Sequence, residues 1–321
     1  MSPSSRLLVL LSLFLAYVFA APAGSQTART VKIVVPLAPG GGADILAREL
    51  AEQIGRAQNV TVVVENRAGA GTAIGTEAVA RAAPDGNTVL LTNPAFLINP
   101  HLRPVGYDPL TGFDPICSIV SFPLVIVVPA ASQHQTLAEL LAAARAKPGS
   151  VTVASAGTGT PTHIGFEVLK RAAGVDMIYV PFAGAAPAVT ALLGGHITAV
   201  YSDYTTVAAQ LKAGIVRALA IGSLKRFEGL PNVPTVVEAG YRDYEAESWN
   251  GVLAPARTPK HVLAQLEGWF AAAGQSPELK QRLAAQGLYP GVVCGADYGA
   301  ALRRQHEQYG RDIRASNIKA E

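Results

Sequence analysis

The chain has 321 residues, half of them hydrophobic and 15% charged, with a formal net charge of +3. That composition belongs to buried sheets with helices and excludes a disordered chain. The charge is too small to imply nucleic acid or a membrane surface as a partner, and it agrees weakly with an anionic ligand.

The first element is a leader. Arg6 is the only charge before the run LLVLLSLFLAYVFAAPA (residues 7–23), and small residues Ala20, Ala21, Ala23 and Gly24 close it. These are the regions of a secretory signal, and the run is at the short end for crossing a bilayer. Residues 1–26 are therefore expected to be removed and the mature protein to be exported. About 295 residues then remain, more than one ordinary core and suited to two lobes of roughly 100 to 180 residues.

Strand-like runs come next, at 32–36, 60–65, 88–92, 124–129, 151–155, 177–181, 197–202, 216–221 and 251–254. Apolar-periodic helical stretches lie between and after them, at 43–54, 74–83, 137–146, 163–173, 185–193, 205–213, 259–273, 277–286 and 296–313. Strand, helix and strand in alternation indicate parallel sheets flanked by helices, the α/β class. Gly and Pro punctuate the units, as at Pro84, Gly86, Pro148 and Gly194. No low-complexity linker separates tandem domains, so the chain is expected to visit one lobe, then the other, then return. Residues 27–122 and 225–321 form lobe 1 in this reading, and 123–224 form lobe 2, with the return falling between Ile221 and Ser248. Cys117 and Cys294 leave two alternatives in an oxidising compartment: a disulfide joining distant parts of the chain, or two unpaired buried thiols.

Two stretches share one design. VKIVVPLAPGGGADILARELAEQI (31–54) and VTVASAGTGTPTHIGFEVLKRAAG (151–174) each run from a strand through a glycine-rich turn into a helix. Such a turn presents backbone N–H groups at the positive end of a helix dipole, a seat for an anion. In the first, Pro39, Gly40, Gly41, Gly42 and Ala43 offer backbone with no side chain to block a ligand. Asp44 would repel an anion and is read as a helix-start capping group. In the second, Ser155, Thr158 and Thr160 add hydroxyls beside the backbone of Ala156, Gly157 and Gly159, neutral donors suited to a carboxylate that is later released. The structural alternative for each is a helix-capping turn without a ligand. His163 either meets the ligand or faces the loop. Asn93 and Phe96 after the third strand, and Ser202 and Asp203 at the end of the Tyr201 strand, lie where open α/β sheets hold ligands.

Enzyme patterns fail. The residues around Ser155 lack the leading glycine of a nucleophile elbow, no phosphate-binding G-x-x-x-x-G-K-[ST] motif occurs, and the six histidines show no metal-ligand spacing. No catalytic residue, cofactor or metal is expected. A secreted hydrolase using Ser155 and His163 is the remote rival.

From about Thr30 to Ile318 the chain resembles the substrate-binding proteins of tripartite tricarboxylate transporters, the Bug family. The matching motifs are VPLAPGGGADILAREL, VVVENRAGAGTAIGTEAVARAAPDGNTVLL, INPHL, ASAGTGTPTH, GVDMIYVPFAGAAPAVTALLGG, LPNVPTVVEAG and SWNGVLAPARTP. The resemblance implies a monomeric periplasmic receptor of the two-lobe (type II) binding-protein fold. It would close over a small carboxylate and hand it to membrane transporter subunits. In the family the first loop, here Pro39 to Asp44, and the second, here Ser155 to Thr160, grip the carboxylate. Leu37 stands where relatives often carry Phe, and Ala95 and Phe96 where they often carry Thr and His. The usual acidic position aligns with Ser202, and strand alternation turns Asp203 to the other face. A dicarboxylate, or an aromatic or apolar carboxylate, is thus expected over an amino acid. A receptor feeding a signalling system would need the same cleft and is the alternative.

Overall fold

A computed structural model describes residues 29–242, 244–284 and 288–319. The expected signal, residues 1–26, lies outside the described residues. Chain order gives β1 (Thr30–Val35), α1 (Gly42–Gln58), β2 (Thr61–Asn66), α2 (Ala73–Ala80), β3 (Thr88–Thr92), α3 (Ala95–Leu102) and β4 (Phe113–Pro129). Then come α4 (Leu137–Ala146), β5 (Thr152–Ser155), α5 (Pro161–Ala173), β6 (Ile178–Pro181), α6 (Ala185–Leu193), β7 (Ala199–Asp203), α7 (Tyr204–Lys212) and β8 (Val216–Ile221). The chain closes with β9 (Glu247–Pro255), α8 (Lys260–Gln275), α9 (Pro277–Ala284), β10 (Tyr289–Cys294) and α10 (Gly295–Ala315).

The strands follow the path β2-β1-β3-β9-β4-β7-β5-β6, with β8 and β10 also paired to β4. β4 holds the molecule together. Its first part pairs antiparallel with β9 as far as Pro123 opposite Glu247, and its second part pairs with β7 from Leu124 opposite Asp203. One strand therefore serves two half-sheets and changes partner between Pro123 and Leu124. In the first half, Ile33, Val35, Leu46, Leu50, Leu266 and Phe270 pack one face, while Val34, Leu90, Phe96, Leu253, Tyr298 and Leu302 pack the other. A strand buried on both faces reads as a continuous apolar run, which is why KIVV and TVLL carry no alternation.

Two parts of this architecture differ from the sequence reading. Residues 225–242 and 244–246, assigned above to lobe 1, pack on the second half, so the chain returns just before β9, inside the expected range from Ile221 to Ser248. Val236 and Tyr244 are fully buried in its core, and Phe227, Leu230 and Val233 cover its other face. Helix α10 belongs to neither half alone. Tyr298 and Leu302 enter the first half's core, Ile313 enters the second's, and Asp312 meets Arg171 of α5 at 3.0 Å. The cysteine question resolves to a disulfide: Cys117 and Cys294 are bonded, directly opposite each other on β4 and β10, with Cα atoms 4.0 Å apart.

Candidate ligand-binding site

The first turn leaves β1 at Pro36, and residues 38–42 are exposed. Gly40 has φ 84°, the left-handed region that favours glycine. Gly41 begins α1 with φ −84° and ψ 168°, and no side chain caps the helix start. Gly41, Gly42 and Ala43 N–H groups find no acceptor among the described residues, as expected of uncapped first-turn donors. A side chain at Gly41 or Gly42 would meet no atom closer than 3.9 Å. Nothing in the protein itself requires glycine at these two positions.

Asp44 corrects its expected role. Its Oδ2 accepts from the Gly40 N–H at 2.9 Å and from Arg48 Nε at 3.1 Å, so it braces the turn and caps no helix N–H. Burial alone would raise its carboxyl. Hydrogen bonds from Arg48, Gly40 and Asn66, with the Arg48 charge, outweigh burial and hold its pKa below the ordinary value. Arg48 also cancels the negative charge that would repel a carboxylate. Leu37 is half-buried against the first core, and its carbonyl accepts from Asn66 Nδ2 at 3.1 Å. Pro39 is exposed and has no N–H to offer.

The second turn spends the hydroxyls of Ser155, Thr160 and Thr162 internally. Ser155, fully buried, shares a hydrogen bond with the Tyr179 hydroxyl at 2.9 Å. Thr160 caps α5 by accepting from the His163 N–H at 3.3 Å, and its Oγ1 donates to the Gly157 carbonyl at 2.7 Å. Thr162 Oγ1 lies 2.9 Å from that same hydroxyl. His163 Nδ1 accepts from the Gly159 N–H at 3.2 Å, so the imidazole faces the loop. Ser155 and His163, the pair considered for hydrolysis, thus engage other partners. The Gly157 and Thr158 N–H groups have no acceptor among the described residues. Ala156 lies half-buried between them and β5.

Four more expected residues follow β3 or end β7. Phe96 is fully buried and stacks on Tyr107 with centroids 5.6 Å apart, edge-on to Phe113; it is core and not a ligand wall. Asn93 accepts from the Ala95 N–H at 3.0 Å and starts α3. Ser202 is fully buried and its hydroxyl has no partner among the described residues. Asp203 precedes α7 without a side-chain cap, and burial raises its carboxyl to about 6. His163 moves the other way, to about 4, through burial and the charge of Lys170. The signs oppose. A base depressed on folding costs stability as pH falls from 6.5 to 4, whereas an acid raised on folding regains stability as pH falls from 6 to 3.8.

Strand direction brings the turns together. β1 is parallel to β3, β3 antiparallel to β9, and β9 antiparallel to β4, so β1 and β3 run with β4 toward the crossing at 123–124. β7 is antiparallel to β4, and β5 and β6 run with β7, so their carboxyl ends return to the same crossing. The two glycine turns therefore leave strand ends that face each other from the two half-sheets. The second turn touches α3 of the first half: a side chain at Gly159 would come within 2.7 Å of Leu102 Cδ1. Cavities of about 960, 320 and 260 Å³ lie elsewhere, and neither glycine turn lines them. In this conformation the space before the first turn is open. Tyr179 is the contact that sequence reading missed, because Ser155 meets it only through the pairing of β5 with β6. Among the described residues, no three His, Cys, Asp or Glu side chains gather as a metal site, and no helix is long and apolar enough to cross a membrane.

The chain is similar to known proteins over most of its length. Residues 46–318 match the family model TctC, the tripartite tricarboxylate transporter family receptor. Protein BugT of Bordetella pertussis is 35% identical over 321 residues, covering 98% of each chain. The structure of R. palustris Rpa4515 with adipate superposes with a TM-score of 0.81 at 29% identity, over 92% of this chain and 99% of that one. MatC (Rpa3494) from Rhodopseudomonas palustris with bound malate gives a TM-score of 0.76 at 26% identity, over 89% and 99%. The α/β architecture is that of periplasmic binding proteins of this type. The chain belongs to the tripartite tricarboxylate transporter receptor family, TctC, and with the Bug proteins is a periplasmic solute-binding receptor.

Proposed function

We propose that the protein captures a small dicarboxylate between its two glycine turns and delivers it to a tripartite tricarboxylate-type membrane transporter. One observation carries this reading: unclaimed N–H groups at Gly41, Gly42 and Ala43 in one half, and at Gly157 and Thr158 in the other, at strand ends that face each other. Each set suits one carboxylate group. Adipate and malate, bound by the two relatives, are both dicarboxylates. An aromatic carboxylate is less well served, because Phe96 is buried in the core on one face of the first half and Leu37 packs on the core of the other. The lobes in this reading are residues 27–122 with the chain from β9 onward, and 123–246, with the expressed mature chain a monomer that starts near residue 27. Closure follows from the ligand bridging both seats, since only its preference for the closed state shifts the equilibrium.

A thermal-shift screen of the mature protein against adipate, malate, aspartate, glutamate and benzoate tests it. A dicarboxylate at 100 times its Kd adds about 2.7 kcal/mol, which reads as a rise of several degrees. Adipate or malate is expected to give the largest rise, and Gly41→Val to abolish it at unchanged ligand-free melting temperature. A larger rise with aspartate, glutamate or benzoate, or none with any acid, contradicts the reading.

A further inference from the structure

We propose that His163 is the positioning residue of the second turn: its Nδ1 takes the Gly159 N–H out of play and so fixes Gly157 and Thr158 as the amides left for the ligand. This deepens the carboxylate-receptor reading and rests on it for the meaning of those amides. The geometry is built from three sides. His163 is 5% exposed, and its ring stacks on Tyr179 of β6 at 4.1 Å with 24° between planes. Tyr179 is itself held by Ser155 of β5 at 2.9 Å and stacks on Phe166 of α5 at 5.8 Å. The His163 backbone N–H closes the cap on Thr160 at 3.3 Å, and Thr160 Oγ1 donates back to Gly157 O at 2.7 Å. Backbone and side chain of one residue therefore fasten both ends of the turn. Gly157 and Gly159 have φ of 119° and 78°, conformations open to glycine and rarely to other residues.

An imidazole that accepts at Nδ1 carries its hydrogen on Nε2. The charge acting on it is Lys170, on the same helix and paired with Glu167 at 3.0 Å; Arg103 of the first half approaches Gly159, and Tyr179, Ser155, Thr160 and Thr162 supply the neutral polar groups. Burial and the Lys170 charge oppose a proton on the ring, and this keeps Nδ1 an acceptor until the medium is strongly acid. Once protonated, the ring would point N–H at N–H and release Gly159.

Two variants separate positioning from bulk. His163→Asn places an amide oxygen near Nδ1 that accepts without titrating, and His163→Phe keeps the stacked ring without an acceptor. The first readout needs no ligand. Amide hydrogen exchange at Gly159 is expected to be slow in the wild type and His163→Asn, and at least tenfold faster in His163→Phe. The wild type alone is expected to lose this protection between pH 5 and pH 3.5. Equal protection in all three, or an acid loss that persists in His163→Asn, overturns the proposal. The second readout is adipate affinity by calorimetry, taken as ratios to wild type so that titration of adipate cancels. His163→Phe is expected to bind about tenfold more weakly and His163→Asn within threefold; equal binding by all three overturns the proposal. A wild type that binds no acid, with the exchange pattern intact, instead refutes the receptor reading and leaves the bracket standing.

Discussion

Replacing Cys117 and Cys294 together with alanine is expected to lower the unfolding free energy by about 5 kcal/mol, the loop-closure value for a bond across this separation. The bond spans 177 residues of sequence, so its removal frees most of the unfolded chain. Beside the bond, β10 has an interrupted pairing with β4 and the packing of Tyr289 and Val292. It carries Pro290 and Gly291, its register on β4 shifts between Pro290 and Val293, and its side chains are half-buried or exposed. Cys117 by contrast is fully buried in the first half's core. The bond therefore fastens a weak edge strand to a strong central one. Chemical unfolding of the double variant, beside the wild type with and without reductant, measures the difference. A loss below about 1 kcal/mol would show that β10 is held by its own pairing.

Gly222→Val is expected to cost about 3 kcal/mol or more, the range for overpacking combined with a lost buried hydrogen bond. Gly222, just after β8, is bonded to both segments that cross between the halves, Leu124 of β4 and Ala246 just before β9. Its N–H donates to Leu124 O at 2.8 Å, and its carbonyl accepts from the Ala246 N–H at 2.9 Å. A Cβ there would lie 2.3 Å from Ala246 O, 2.7 Å from the Tyr201 hydroxyl and 3.1 Å from Ala246 Cβ. The oxygen is backbone and cannot swing aside. The hydroxyl is fixed too, since Tyr201 and Tyr244 share a hydrogen bond and Tyr244 donates to Gly165 O at 3.0 Å. Any relief must pull β9 away from the end of β8 and loosen the crossing. Gly268→Ala on α8, where a side chain meets nothing within 4 Å, is the control and is expected to be neutral or stabilising. A Gly222→Val protein as stable as the wild type would mean that the crossing flexes freely.

The alternation of strand and helix was legible because most elements are long and punctuated by Gly and Pro, and the residues that failed do so for local reasons. The first part of β4 carries Pro115 and Pro123, and β10 carries Pro290, which argue against strand in isolation. Tertiary pairing with β9 and the disulfide override them. Helix α3 hides behind Pro94 and contains Pro100, so Phe96 read as loop when it is core. The segment after Ile221 has no regular period, and only burial of Val236 and Tyr244 shows which half it joins. The two glycine turns were visible as strand–turn–helix patterns. What their hydroxyls do was not, because Ser155 meets Tyr179 through strand pairing and Thr160 and His163 satisfy each other within one turn. Sequence shows which groups a loop contains; the fold decides which remain for a ligand.

The most direct measurement follows the backbone amides themselves in nuclear magnetic resonance spectra of the mature protein during titration with adipate. Gly41, Gly42 and Ala43 are expected to move together with Gly157 and Thr158, on one binding curve, while Gly40 and Gly159, whose N–H groups are bonded to Asp44 and His163, move less. Saturable shifts confined to one turn, or to residues away from both, would contradict a carboxylate held between the two halves.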